Sequence, residues 1–324
     1  MPPCMSGSGA LGVVRVMVAL ALVGGPGAAS GAKCVGGLAP ARAPLALVLS
    51  GGGAKGAYEA GVASALLERG APIRLVAGSS AGALNAAMIA DGRVDRLELV
   101  WRSITREQVY ALRPSVFFAG LLPGWLTLLT LNQAGSLFDH APLRALIEGA
   151  LDLDRIRTSA VRVLVVTADL ARREKRLFDN ATLSVDVLMA AAAVPGAFAP
   201  VEVGGALLVD GGLTGRAPVL EALEAGVPVA RALVVMSYSP DERGARPTTL
   251  RVALEEAFEM AMVHQIRRDT ELARLKFPAV DVQLLTPSAP LDLRPLDFDG
   301  AGIARALDLG RRDGGACAEA WGGR

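Results

Sequence analysis

The stretch Gly78-Ser79-Ser80-Ala81-Gly82 restricts the fold more than any other part of the chain. It is a Gly-x-Ser-x-Gly motif. The apolar run Ile73 to Ala77 leads into it, and the small-residue run Ala81 to Ala90 leads out. That pattern predicts a strand, a sharp turn and a helix, the setting in which such a serine becomes a nucleophile on an elbow. Gly78 and Gly82 let the turn close without side-chain clashes. The helix that follows directs its N-terminal N–H groups and positive dipole end toward any oxyanion formed at Ser80. A bare five-residue match in a chain this rich in Gly, Ala and Ser also arises by chance, so the motif needs partners.

The strand context extends upstream. Leu45 to Leu49 is a continuous apolar run bounded by Pro44 and Ser50-Gly51, as a buried parallel strand requires. A glycine loop, Gly51 to Gly56, follows, and residues 57–69 show helical spacing up to Gly70. The order strand–loop–helix–strand–elbow–helix means a parallel α/β protein. Further helices are expected over 93–110, Pro142–Leu151, Val185–Ala193, Ala217–Ala225, Thr248–Leu275 and Gly302–Leu309. Further strands are expected at Val161–Ala168, Ala206–Val209, Ala232–Met236 and Val280–Leu285. Neither an internal repeat nor a linker-like stretch divides residues 45–310, which read as one domain, with 311–324 as a C-terminal tail.

The glycine loop has two readings. Gly51, Gly53 and Gly56 match Gly-x-Gly-x-x-Gly between a strand and a helix, the dinucleotide-binding fingerprint. That fingerprint expects an acidic residue about 20 positions on, at the end of the next strand. Here the next strand ends in Gly78-Ser79-Ser80, so the reading loses its main support. The other reading makes Gly51, Gly52, Gly53, Lys55 and Gly56 an oxyanion loop beside Ser80, with Lys55 adding positive potential.

A serine nucleophile needs a base. The chain has two histidines, His140 and His264. The order Ser80, Asp210, His264 fits an α/β-hydrolase triad. However, His264 lies inside a strong helical pattern, and His140 precedes Pro142 as a helix-start residue. Asp210 ends a strand and precedes Gly211-Gly212, so its carboxylate could approach the elbow and take the serine proton directly if partly desolvated. An ordinary turn aspartate is the bland alternative.

Taken together these residues resemble the patatin-like phospholipases. The matching stretches are Leu49 to Gly56, Gly78 to Asn85, Ala192 to Pro200, and Asp210 to Leu213 with Pro218, in the family's order. The resemblance covers about Leu45 to Gly310. It implies Ser80 as nucleophile, Asp210 as its partner in a Ser–Asp dyad, and Gly51–Gly56 as the oxyanion loop. It also implies a three-layer α/β/α sandwich with a mainly parallel central sheet, a lipid or phospholipid acyl-ester substrate, and hydrolysis without calcium or another cofactor. Arg216 departs from it, because the family usually has Asn there. A non-catalytic lipid-binding protein on the same scaffold is the alternative that Arg216 suggests.

Composition narrows the partners. Lys+Arg of 33 against Asp+Glu of 32 leaves no basic stripe, and nucleic acid is not an expected partner. Ser115 to Leu131 carries no charge, is broken by Pro123-Gly124, and could line an acyl-chain groove, form a lid, touch a membrane surface or simply be a buried helix pair. Asp297-Phe298-Asp299-Gly300 hints at calcium but lacks the rest of that loop, so a helix cap is the better reading. Before Glu59 there is no acidic residue. Arg15, the apolar run Val16–Val23 and the small residues after it read as a secretory signal peptide within 1–32, cleaved near Ala29 or Ala32. Export to the periplasm, the outer membrane or the medium would follow; a Gly/Ala-rich leader of a cytoplasmic protein is the alternative. Cys34 could be a lipid acceptor, although Lys33 before it fits poorly. Cys34 and Cys317 could instead pair and tie the termini, and two unrelated thiols are the simpler expectation.

Overall fold

A computed structural model describes residues 34, 39–40, 42–119, 122–123, 127, 133, 135–239 and 246–322. The expected signal peptide lies outside these residues, as does most of the 115–131 stretch.

Ten strands are described: β1 (Leu45–Leu49), β2 (Ile73–Gly78), β3 (Ala111–Leu112), β4 (Phe138–Asp139), β5 (Arg162–Asp169), β6 (Glu174–Asp179), β7 (Val201–Val203), β8 (Ala206–Asp210), β9 (Arg231–Val235) and β10 (Asp281–Leu285). The described helices are α1 (Gly56–Glu68), α2 (Ala81–Asp91), α3 (Val94–Ser103), α4 (Arg106–Val109), α5 (Pro114–Ala119), α6 (Ala141–Ala150), α7 (Leu153–Arg157), α8 (Val185–Ala191), α9 (Val219–Glu224), α10 (Leu250–Lys276) and α11 (Gly300–Ala320). The main sheet runs β10-β9-β1-β2-β5-β8-β7, with β6 also paired to β5. The five strands from β10 to β5 are mutually parallel, whereas β6, β7 and β8 join antiparallel.

The sheet separates two cores. Leu45, Leu47, Leu49 and Val76 face α1, α2, α3, α6, α8 and α11. Ala46, Val48, Leu75 and Ala77 face α9 and α10. Alternate residues of a buried strand thus serve opposite layers, giving the three-layer α/β/α sandwich that the motifs implied. Among the described residues no helix is long and apolar enough to cross a membrane.

The structure corrects three expectations. The helix expected over 93–110 breaks after Ser103, because Thr105 and Gln108 form a capping box that starts α4 anew. Residues 311–320 are not a tail. They continue α11 to Ala320 along α1, where a methyl on Gly310 would sit 2.0 Å from the Tyr58 carbonyl oxygen, so only glycine permits the contact. Finally, Cys34 and Cys317 are not separate thiols but form a disulfide with a Cα–Cα distance of 4.9 Å. It ties the segment before β1 to the end of α11 across 283 residues of sequence. Replacing Cys317 with Ser should cost about 2–4 kcal/mol, the usual worth of such a crosslink. Chemical denaturation with and without reductant measures it; the difference between conditions should vanish in the variant.

Candidate active site

The register of the sheet brings three chain segments to one row. Leu49 pairs with Gly78, and Gly78 pairs with Val165. Beyond these ends Gly51 packs against Ser80, and on β5 Thr167 pairs with Asp210 of β8. Gly51, Ser80 and Thr167 lie at or just beyond the C-terminal ends of parallel strands, where open α/β sheets place their sites, and Asp210 reaches them from the end of antiparallel β8.

Ser80 caps α2 with φ 54° and ψ −136°. A non-glycine residue held there costs on the order of 1–3 kcal/mol and persists only where its surroundings impose it. Here they do. Gly82 packs so closely on β1 that a methyl would lie 2.6 Å from the Leu49 carbonyl oxygen. Gly78 lies as tightly under the Gly82 carbonyl. The Ser79 hydroxyl donates to the Arg216 carbonyl oxygen at 2.6 Å, joining the elbow to the turn after Asp210.

The glycine loop divides its duties. Gly52 and Gly53 line the cavity with Ser80, and their N–H groups make no backbone hydrogen bond among the described residues. The other three expected oxyanion residues are engaged elsewhere. The Gly51 N–H donates to buried Glu59 Oε1 at 2.7 Å. Gly56 begins α1 and offers its carbonyl to Asn85 Nδ2 at 3.0 Å. Lys55 Nζ pairs with Glu259 at 3.1 Å and lies 4.8 Å from the Tyr238 ring centre. The loop's shape is fixed from outside: a methyl on Gly53, at φ +59°, would stand 1.9 Å from the Pro295 carbonyl oxygen. Gly53→Ala should therefore displace the loop and lower any catalysis that uses its amides by about 10²-fold, the scale expected for an ångström of misplacement. Steady-state kinetics on the folded variant checks this, and unchanged turnover would show that the loop does not set the rate.

Asp210 is buried beside the elbow. One carboxylate oxygen accepts the Gly212 N–H at 2.7 Å. The same oxygen lies 3.9 Å from Arg216 Nη1. Burial pushes the Asp210 pKa up, while Arg216, the Gly212 amide and the nearby Ser80 hydroxyl pull it back; its second oxygen, Oδ2, is buried without a formed hydrogen bond among the described residues. Arg216 is itself buried. Its Nη2 donates to the Tyr238 hydroxyl at 3.1 Å, and its main-chain N–H donates to Gln265 Oε1 at 3.2 Å. So the arginine supports the aspartate turn through charge, side chain and backbone together.

A cavity of about 1050 Å³ opens at Ser80, Gly52 and Gly53. Leu84 and Met88 of α2, Trp101 of α3 and Leu143 and Ile147 of α6 make its walls apolar. Leu137, Leu170, Leu213 and Leu254 also line it and remain well exposed. Neither histidine lines this cavity. His264 is exposed on α10, and His140 precedes α6 against Phe198. A triad through His264 is thereby overturned, because the helical pattern that holds it turns it to solvent. Asp299 caps α11 by accepting the Gly302 N–H at 2.7 Å. Sequence reasoning missed Glu59. Its signal was a carboxylate in a helix whose neighbours are otherwise Ala, Gly, Val and Tyr.

The chain is similar to several known proteins. Three Mycobacterium proteins described as uncharacterized NTE family proteins, from M. bovis and two M. tuberculosis strains, are 33% identical over 175 residues, 54% of this chain. The chain spans 44% of the length of those relatives. A Caenorhabditis elegans patatin-like phospholipase domain-containing protein is 29% identical over 177 residues, 54% of this chain and 12% of its own. Among solved structures, VipD from Legionella pneumophila gives a TM-score of 0.40 at 15% identity, covering 86% of this chain and 67% of VipD. The type III effector ExoU gives 0.42 at 17% identity, covering 87% and 54%. The sequence pattern of the patatin-like phospholipases matches residues 47–223, more than half of the chain, and this protein therefore belongs to the patatin-like phospholipase family.

Proposed function

We propose that this protein hydrolyses acyl esters of lipids, with Ser80 as nucleophile and Asp210 as its base. The observation that carries the reading is the strained Ser80 at the mouth of an apolar cavity of about 1050 Å³, with buried Asp210 interacting with it from behind. Ser80 Oγ attacks the ester carbonyl carbon as Asp210 takes its proton. The Gly52 and Gly53 amides and the N-terminus of α2 face the oxyanion. Collapse of the tetrahedral intermediate expels the alcohol, which takes the proton back from Asp210 and leaves an acyl-enzyme. Water, deprotonated by the same carboxylate, then releases the fatty acid and restores Ser80. A single carboxylate can serve both half-reactions because its raised pKa lies closer to working pH than that of an exposed aspartate.

The acyl chain occupies the apolar cavity. The exposed leucines at its rim, with Phe117 and Phe118 of α5, supply apolar contact to a lipid surface. The Cys34–Cys317 disulfide favours an oxidising compartment, in keeping with export by the leader within 1–32. A fluorophosphonate probe tests the chemistry, and a panel of phospholipids, lysophospholipids and short esters tests the substrate. Stoichiometric labelling at Ser80 with turnover of at least one lipid ester is expected. A folded protein that binds lipid vesicles yet resists the probe would be a lipid-binding scaffold instead.

A further inference from the structure

Glu59 is a buried acid that the acyl-hydrolase mechanism leaves unused. Glu59 sits on α1, fully buried behind the glycine loop. Its Oε1 accepts the Gly51 N–H at 2.7 Å and the Ser50 hydroxyl at 3.0 Å. Ser50 Oγ in turn accepts the Ser237 N–H at 3.2 Å, so the carboxylate anchors the ends of both β1 and β9. On the side of the dyad, the charge that reaches Glu59 is Arg216, which also faces Asp210. The other ionisable groups nearby are committed. Lys55, at the start of the same helix, pairs with Glu259 of α10, and Tyr58 donates to Asp313 of α11.

We propose, resting on the acyl-hydrolase reading, that Glu59 is a positioning residue: its carboxylate holds the Gly51 amide so that the Gly52 and Gly53 amides stay turned to Ser80, and Arg216, whose charge acts on both Glu59 and Asp210, couples this clamp to the base.

The coupling has a direction. One guanidinium interacts electrostatically with two buried carboxylates, and Glu59 is pushed up to about 7, chiefly by desolvation. Below that pH Glu59 is neutral and grips the Gly51 amide weakly, since hydrogen bonds to charged acceptors are the stronger ones. Above it, the ionised carboxylate tightens the loop and draws on the field of Arg216, leaving Asp210 more basic. Turnover therefore rises as pH passes through about 7. Stability runs the other way. The folded pKa exceeds the ordinary 4.5, so the native state retains a proton that the unfolded chain has lost, and stability falls as pH climbs from 4.5 toward about 7.

The test measures kcat and KM against pH on a soluble short-chain p-nitrophenyl ester, so that lipid surfaces play no part. The full chain is compared with Glu59→Gln and Glu59→Ala. Wild type should show an acid limb in kcat near pH 7. Glu59→Gln keeps an acceptor oxygen for Gly51 and removes the charge. It should stay folded above pH 7, hold KM, lose that limb, and turn over about tenfold more slowly, as expected for one charge-assisted hydrogen bond made neutral. Glu59→Ala leaves the Gly51 amide buried without its acceptor and should cost about 10²-fold in kcat, again with KM held. The glutamine variant thus partly rescues the alanine variant. A wild-type kcat profile flat across pH 6–8 overturns the proposal even if both variants misfold, as do variants with wild-type kcat and limb. That failure is distinct from failure of the hydrolase reading, in which activity would survive Ser80→Ala.

Discussion

Ser80→Ala is expected to remove ester hydrolysis, lowering kcat by on the order of 10⁴–10⁶-fold, the scale on which serine hydrolases lose rate with their nucleophile. The fold should be untouched. Alanine keeps the Cβ of serine, so φ 54° is no harder for it, and the elbow's main tether runs from the Ser79 hydroxyl rather than from Ser80. The measurement is the ester panel together with fluorophosphonate labelling, read beside thermal denaturation. Loss of activity and labelling at unchanged Tm identifies the nucleophile. Retained activity in the folded variant would sink the mechanism, whatever the family.

Asp210→Asn should follow, with a fall of about 10²–10⁴-fold, the usual contribution of a positioned general base. Asparagine keeps an oxygen for the Gly212 N–H, so the turn after β8 holds. What it loses is the capacity to take a proton. It also leaves the buried Arg216 without the carboxylate 3.9 Å away, which makes some loss of stability an expected part of the result. The comparison variant is His264→Ala. His264 is exposed on α10 and away from the cavity, so its removal should leave both rate and stability where they were. The two outcomes together separate a dyad from a triad. Activity in Asp210→Asn equal to wild type would mean that the proton goes elsewhere, and no histidine is placed to receive it.

These expectations rest unequally on sequence and on structure. The elbow could be read from the sequence alone because its determinants are neighbours: an apolar run, two glycines around a serine, then a helix-forming stretch. The same holds for β1, for the glycine loop and for the parallel α/β class. The division of labour within that loop could not be read in the same way. Gly51 looks like Gly52 in a string of glycines. Only the side chain of Glu59, arriving from the next helix, engages its N–H and sets it apart from those of Gly52 and Gly53. Lys55 likewise looks free until α10 brings Glu259 within 3.1 Å.

Asp210 marks the boundary between the two kinds of knowledge. Sequence identified it as an acid at a strand end before two glycines, one candidate among several. Its place beside Ser80 depends on β8 running antiparallel to β5 in the register that pairs Asp210 with Thr167. A shift of one residue would turn it to the other face of the sheet. Arg216 behaves similarly. In the sequence it is a departure from the usual asparagine, and in the fold it is a buried cation tied to Tyr238, Gln265 and the elbow. The disulfide and the full length of α11 belong to the same category, because both depend on what packs against α1. Local pattern thus determined the elbow that carries Ser80, since its turn is set by backbone preferences a few residues long. Contacts between segments far apart in the chain decided which acid stands beside Ser80, which loop amide Glu59 takes and which charge lies nearby, because register and packing are properties of the assembled sheet.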